Sequence, residues 1–130
     1  MSVRGAAALL GLLFGALGVV GIMEFGFADA FVAGAGQELL LFGVSPILNV
    51  LHIVFGVVLL VAAGIGGVPA RRLLTAVAGG LVVLALSGFV LVGSDSLNIL
   101  GLNPVDVLAY LVVAFLSFLL LGATKTSMRT

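Results

Sequence analysis

Few side chains in this sequence can do chemistry, and most of them fall near one end of two apolar segments. Asn49 and His52 lie three residues apart in the first segment, and Asp106 and Tyr110 lie four apart in the second. On a helix these spacings put both members of each pair on one face. A histidine beside a carboxylate can sense or relay protons near neutral pH. We therefore define these four residues, with Glu24 as a further candidate partner of His52, as the candidate polar cluster.

Each member of the candidate polar cluster also has a structural explanation. A neutral His52 hydrogen-bonded to a neighbouring helix suffices, although an ionisable residue inside hydrocarbon is a functional hypothesis by default. Asp106 comes third after Asn103, where a carboxylate meets the free N–H groups at a helix start. Asn49 can bond to His52 or across helices, and Tyr110 can reach the lipid headgroups. The sequence leaves both explanations open.

Catalytic chemistry is disfavoured by the spacing and by the composition. Ser45, His52 and Asp106 are the residue types of a hydrolase triad, but seven helical residues separate Ser45 from His52, a rise of about 10 Å. A nucleophile and its base must lie within roughly 2.6–3.2 Å of each other. The chain has one histidine and no cysteine, so a bis-histidine haem site or a three-histidine zinc site requires sharing between subunits. We expect no enzymatic activity, no metal and no cofactor.

The composition is that of a membrane protein. Of 130 residues, 63% are hydrophobic and 8% are charged, whereas a soluble domain usually has about a quarter of its residues charged. The formal net charge is zero and there is no basic tract, which argues against nucleic acid as a partner. The expected partner is the lipid bilayer.

Four apolar runs have the length, roughly 17–25 residues, that crosses hydrocarbon as a helix. We predict spans at about residues 5–23, 46–64, 73–92 and 104–123 of a single domain, residues 1–130. Residues 24–45 form an acidic but oily interfacial loop, with a short amphipathic helix over residues 31–41. A cleaved signal peptide is the alternative for the first run. That run exceeds the usual apolar region of about 7–15 residues, so we expect the span to be retained.

Short motifs indicate where the helices begin and how they pack. Ser45 and Asn103 each precede a proline, which predicts that both are N-caps, with proline in the first helical position. Gly64, Gly66, Gly67 and Pro69 predict the end of the second span. Close helix packing is predicted for a further set of glycines, with homodimerisation as the alternative. That set consists of Gly11, Gly15, Gly18 and Gly56.

The second half of the chain looks like a copy of the first. At an offset of 58 residues, Gly43 pairs with Gly101, Ser45 with Asn103, Pro46 with Pro104, His52 with Tyr110 and Gly56 with Ala114. One unit contains two crossings, so both copies share an orientation and form a parallel repeat about an axis along the membrane normal. The predicted fold class is all-α, an integral membrane four-helix bundle of two tandem transmembrane hairpins.

The charges are segregated by loop. All cations fall before the first span, between the second and third, or after the fourth: Arg4, Arg71, Arg72, Lys125 and Arg129. All acids fall in or beside the two other loops: Glu24, Asp29, Glu38, Asp95 and Asp106. By the positive-inside rule, both termini are cytoplasmic. We expect a multi-pass protein of the bacterial cytoplasmic membrane.

The motif Asn49-x-x-His52-x-x-x-Gly56, preceded by Phe42-Gly43, is echoed by Leu102-Asn103-Pro104-x-Asp106. With these motifs the chain resembles a family of small four-span actinobacterial-type integral membrane proteins of unknown function. The resemblance covers nearly the whole chain and implies a fold and a membrane location, but no reaction. It also implies a histidine in the second copy, where this chain has Tyr110. That departure weakens the case for a paired-histidine metal or haem site.

These features favour a non-enzymatic structural or accessory subunit, packed within the bilayer against itself or a larger membrane complex. The alternative is an oligomeric small-solute or ion transporter, or a proton-linked sensor, that uses the candidate polar cluster. The sequence identifies neither a substrate nor a partner nor the oligomeric state.

Overall fold

The computed structural model describes residues 1–32 and 37–127, with side chains described as far as Thr124. Its elements, in chain order, are α1 (Val3–Phe25), β1 (Gln37–Leu39), β2 (Phe42–Val44), α2 (Pro46–Ile65), α3 (Gly67–Leu91) and α4 (Pro104–Ser127). Each of the four helices is long and apolar enough to cross a membrane. The fold is therefore helical, as predicted, and indicates a multi-pass membrane protein.

The loop between α1 and α2 contains a β-hairpin. β1 and β2 are antiparallel, with Glu38 opposite Gly43, and Leu40 in the turn has a left-handed φ of 59°. The predicted amphipathic helix over residues 31–41 is therefore wrong for residues 37–41, and residues 33–36 of that prediction lie outside the described residues. The hairpin is held by α4, since Asn103 Nδ2 donates to Leu41 O at 3.0 Å. A contact between residues so distant in sequence has no local signal.

Helix α3 begins earlier than the predicted third span. Gly66 and Gly67 have φ values of 66° and 61°, and this left-handed pair reverses the chain between α2 and α3. Pro69 is the third residue of α3, within the first turn, where backbone N–H groups have no partner in the helix and proline is tolerated. Arg71 and Arg72 consequently belong to the helix and not to the preceding turn.

Glycines let the helices of each hairpin approach closely. α1 packs chiefly against α2, and α3 against α4. A Cβ atom on Gly56 would lie 2.6 Å from the backbone N of Gly15 and 2.7 Å from its Cα. A Cβ atom on Gly11 would lie 3.0 Å from the carbonyl of Gly56, and one on Gly18 would collide with the carbonyl of Asn49. A Cβ atom on Gly15 would meet nothing within 4 Å. Gly15 thus contributes its backbone atoms to the contact, but the contact does not require that residue 15 lack a side chain.

The two prolines at helix starts follow capping residues. Ser45 Oγ accepts from the N–H of Leu48 at 3.1 Å. Asn103 Oδ1 accepts from the N–H groups of Val105 and Asp106 at 2.9 and 3.1 Å. These bonds satisfy donors that the helices themselves leave free.

The two ends of the protein carry opposite charges. Arg4 Nε donates to the carbonyl of Ala63 at 2.9 Å, and Arg71 donates to that of Leu121 at 2.6 Å. Arg4 thus satisfies a carbonyl in the last turn of α2, whereas Leu121 lies six residues before the end of α4. Glu38 lies at the other end, where its Oε1 accepts from Asn103 Nδ2 at 3.5 Å. Arg71 and Glu38 are therefore at opposite ends of α4, a helix about 36 Å long at 1.5 Å per residue.

We expect Gly56→Ala to destabilise the fold by about 1–3 kcal/mol, because the added methyl group would collide with the backbone of α1. Gly15→Ala is the matched control, since it adds the same group to α1 at a position where the new Cβ atom meets nothing within 4 Å. Thermal unfolding of both variants in one detergent provides the measurement. Equal unfolding temperatures would contradict the packing described here.

Candidate functional site

His52 and Tyr110 form a buried hydrogen bond between α2 and α4. His52 Nε2 lies 2.7 Å from the Tyr110 hydroxyl, and both side chains are buried. The Phe14 ring of α1 packs on the imidazole, with ring centroids 5.6 Å apart. The tyrosine hydroxyl donates when Nε2 is unprotonated. This hydrogen bond joins α2 to α4. Without it, the polar atoms of both side chains would lack this partner in an apolar interior.

Asp106 is fully buried and bonds to the backbone. Its Oδ2 accepts from the N–H of Asn103 at 2.8 Å and from that of Gly43 at 3.0 Å. The first bond caps the start of α4, and the second joins β2 to the same helix. Among the described residues Oδ1 has no hydrogen-bond partner. The carboxylate is thus used to hold the loop against α4, and it does not bond to His52.

Asn49 is the least satisfied member of the candidate polar cluster. It is fully buried beneath Gly21, where any side chain would collide with the Asn49 amide. Within the part of the chain that the structure describes, neither Asn49 Oδ1 nor Nδ2 has a partner, and His52 Nδ1 also lacks one. An unpaired buried polar group costs roughly 1–3 kcal/mol. The interior next to the His52–Tyr110 bond therefore holds hydrogen-bonding capacity that the fold does not use.

Glu24 lies apart from these residues. Its side chain is exposed near the end of α1, and it makes no hydrogen bond to another described residue. The structure therefore brings together Asn49, His52, Asp106 and Tyr110 in the interior, but not Glu24.

The arrangement contains no hydrolase geometry among the described residues. Ser45 Oγ donates to the carbonyl of Leu100 at 2.8 Å, away from His52, whose Nε2 bonds to Tyr110. The described residues also include no group of three histidine or acidic side chains that could hold a metal ion. Within the cluster, the His52–Tyr110 hydrogen bond is the one contact along which a proton can move between two described side chains.

Several contributors to the site were not identified from the sequence. Gly21 over Asn49 and Phe14 over His52 lie in an apolar helix where many residues look alike. Gly43 contacts the carbonyl of Gly101, so that a side chain on Gly43 would collide with it. The 58-residue offset indicated that these two glycines occupy equivalent positions in the two copies, but it did not indicate that they touch.

Comparison with known proteins gives a family. A family described as a domain of unknown function, DUF4383, matches residues 4–123. The chain belongs to this family. The match covers all four helices except for the first residue of α1 and the end of α4. Searches of curated proteins and of solved structures each found no match. The family match and the four apolar helices together fit a small membrane protein of unknown function.

We expect Tyr110→Phe to destabilise the protein by about 1 kcal/mol, because it leaves His52 Nε2 without its partner in the interior. Combining it with His52→Phe should recover part of that loss. The coupling should be about 0.6 kcal/mol and no more than about 1.7 kcal/mol, the average and the maximum for hydrogen bonds between membrane helices. Unfolding of the two single variants and the double variant in detergent measures it. Strictly additive losses would show that the bond contributes nothing.

Proposed function

We propose that this protein is a non-enzymatic structural or accessory subunit, packed within the bilayer against itself or a larger membrane complex. The observation that carries the proposal is the direction of its polar groups. His52, Tyr110 and Asp106 point inward and hold separate elements of the chain to one another. Large apolar side chains cover the outside of the helices, such as Phe89 and Phe115. Along the membrane-length part of its helices, a protein built in this way presents apolar surfaces suited to packing.

The second part of the proposal is that the four helices form a bundle of two tandem hairpins, related as a parallel repeat. The buried positions recur in support of it. In α1 and α3 they match at an offset of 67: residues 7, 11, 14, 18 and 21 against 74, 78, 81, 85 and 88. In α2 and α4 they match at 58: residues 48, 49, 52, 56 and 59 against 106, 107, 110, 114 and 117.

Contacts between matched residues also support the repeat. Under twofold symmetry, a residue touches its own equivalent only at the axis. His52 bonds to its equivalent Tyr110, and Gly43 contacts its equivalent Gly101. We infer that the axis passes through both contacts, so that the candidate polar cluster lies where the two repeats meet. We also propose that the family is of an actinobacterial type and that its members share the Asn-x-x-His-x-x-x-Gly motif.

We further propose that the protein lies in the bacterial cytoplasmic membrane with both termini in the cytoplasm. Arg4 and Arg71 lie at one end of the helices, and Glu38 and Asp106 at the other. Basic residues near short loops favour the cytoplasmic side.

The chain contains no cysteine, so single introduced cysteines report orientation directly. We expect Asp95→Cys, in the exposed loop after α3, to react with a membrane-impermeant maleimide in intact spheroplasts. Arg72→Cys, which is also exposed, should react only after the membrane is opened. Labelling of both cysteine variants in intact spheroplasts would overturn the proposed charge segregation. Labelling of Arg72→Cys alone would show that the termini face the outside.

A proton-linked sensor or an oligomeric small-solute or ion transporter is the second candidate function. The specific observation in its favour is the unused capacity of Asn49 and of His52 Nδ1 in the interior. Polar side chains inside a membrane protein commonly mark an ion or proton path. A single unit of four helices offers little room for such a path, so a transporter would require several copies.

The fluorescence of Tyr110 separates these two functions. Tyr110 is the only tyrosine and the chain has no tryptophan, so intrinsic emission reports on this site. We expect a flat emission profile between about pH 5 and 8 in the wild type and in His52→Gln, because a structural His52 keeps its neutral bond. His52→Gln should also keep most of the stability. A transition present in the wild type and lost in His52→Gln would instead support the sensor.

Co-purification tests the accessory role itself. Tagged protein extracted from native membranes in mild detergent should appear, after cross-linking in the cells, in a complex of defined size. His52→Gln should remain in that complex, since it leaves the outer surface unchanged. A wild-type protein recovered only as a monomer would refute the accessory role.

A further inference from the structure

An open groove runs between the start of α3 and the end of α4, at the cationic end of the protein. Its volume is about 740 Å³. Val68 and Phe118 supply apolar walls, while Arg71, Arg72 and Thr75 supply polar groups along α3. The groove thus combines a surface suited to hydrocarbon with two adjacent positive charges.

Arg71 is fixed at this groove by bonds across to α4. Its guanidinium donates to the carbonyl of Leu121 at 2.6 Å and to the hydroxyl of Thr124. These bonds use only part of its five N–H donors. The Arg72 side chain is exposed and makes no hydrogen bond to another described residue. One guanidinium is therefore held in place and the other is available, an arrangement suited to phosphate oxygens.

The start of α3 adds to the positive potential. Gly66 at the N-cap provides no side-chain hydrogen bond, so the first N–H groups of this helix remain unsatisfied by a cap. No acid is near to neutralise the groove, because every aspartate and glutamate lies in or beside the loops at the opposite end. The charge at this place therefore favours an anion.

We propose that this groove binds an anionic phospholipid, with the phosphate on Arg71 and Arg72 and an acyl chain along Phe118, which lies deeper along α4 than Leu121 and Thr124, the residues that Arg71 contacts. Basic pockets between membrane helices bind anionic headgroups by the same combination of charge and apolar wall. A free phosphate ion would leave the apolar wall unused, so the lipid is the better match. This site is separate from the candidate polar cluster, and it does not depend on the proposed accessory role or on the orientation.

Native mass spectrometry tests the proposal on the full chain, released from nanodiscs of equimolar phosphatidylglycerol and phosphatidylcholine. We expect retained phosphatidylglycerol to exceed phosphatidylcholine. Arg72→Gln, which breaks no described hydrogen bond, should lower phosphatidylglycerol retention roughly fivefold, the effect expected for one basic residue near a membrane surface. Equal retention of the two lipids by the wild type would overturn the proposal. If inorganic phosphate displaced the bound lipid, the site would be one for a phosphate ion, and the choice of a lipid as its ligand would be overturned.

A second pair of variants tests the apolar part of the groove. A Cβ atom on Gly122, which lines the groove, would meet nothing within 4 Å. Gly122→Leu should therefore place a side chain in the groove without a clash at Cβ, narrow it, and lower the selective retention of phosphatidylglycerol. Gly79→Leu is the control, because its Cβ is equally unobstructed and Gly79 does not line the groove. Undiminished retention in Gly122→Leu, or equal loss in both variants, would contradict binding in this groove.

Discussion

Hydrocarbon offers no hydrogen-bond partner, so each polar group in the four helices must be satisfied inside the protein or carry a penalty. That constraint explains the position of the His52–Tyr110 bond. A histidine or a tyrosine at this depth is costly alone, and each is stabilised by a helix of the other hairpin. The same constraint explains Asp106, whose buried Oδ2 accepts two backbone N–H groups. Polar residues here specify which elements meet.

Glycine-mediated packing and buried hydrogen bonds therefore stabilise different parts of the fold. Within a hairpin, glycines such as Gly56 bring backbones together, and the gain is dispersion between closely packed atoms. Between hairpins, hydrogen bonds from Ser45, His52 and Asp106 join separate parts of the chain. Dispersion alone tolerates many registers between apolar helices, whereas a hydrogen bond accepts only a narrow range of distance and angle. The polar bonds thus give the apolar packing one register.

The two ends of the molecule are chemically different. At one end Arg4 donates to a carbonyl in the last turn of α2 and Arg71 donates to the Leu121 carbonyl of α4, with Arg72 left exposed. At the other end, Glu38 is exposed on the β-hairpin and Asp106 is buried at the capped start of α4. The first end is suited to anionic headgroups, and the second closes the interior that contains Asn49 and His52. A single small protein can in this way contact a lipid at one surface and shield a polar interior at the other.

The sequence by itself determined the helical class, the four apolar segments and the capping residues Ser45 and Asn103. These depend on hydropathy and on side chains acting within one turn. It also placed His52 and Tyr110 at matching positions. Only the tertiary structure decided that these two side chains bond, that Glu24 stays apart and that residues 37–44 form a hairpin. The bonds from His52 to Tyr110 and from Gly43 to Asp106 join residues some 60 positions apart, and no local pattern encodes which distant group a side chain will meet. The hairpin is local, but its turn depends on a left-handed Leu40, a conformation that leucine does not signal.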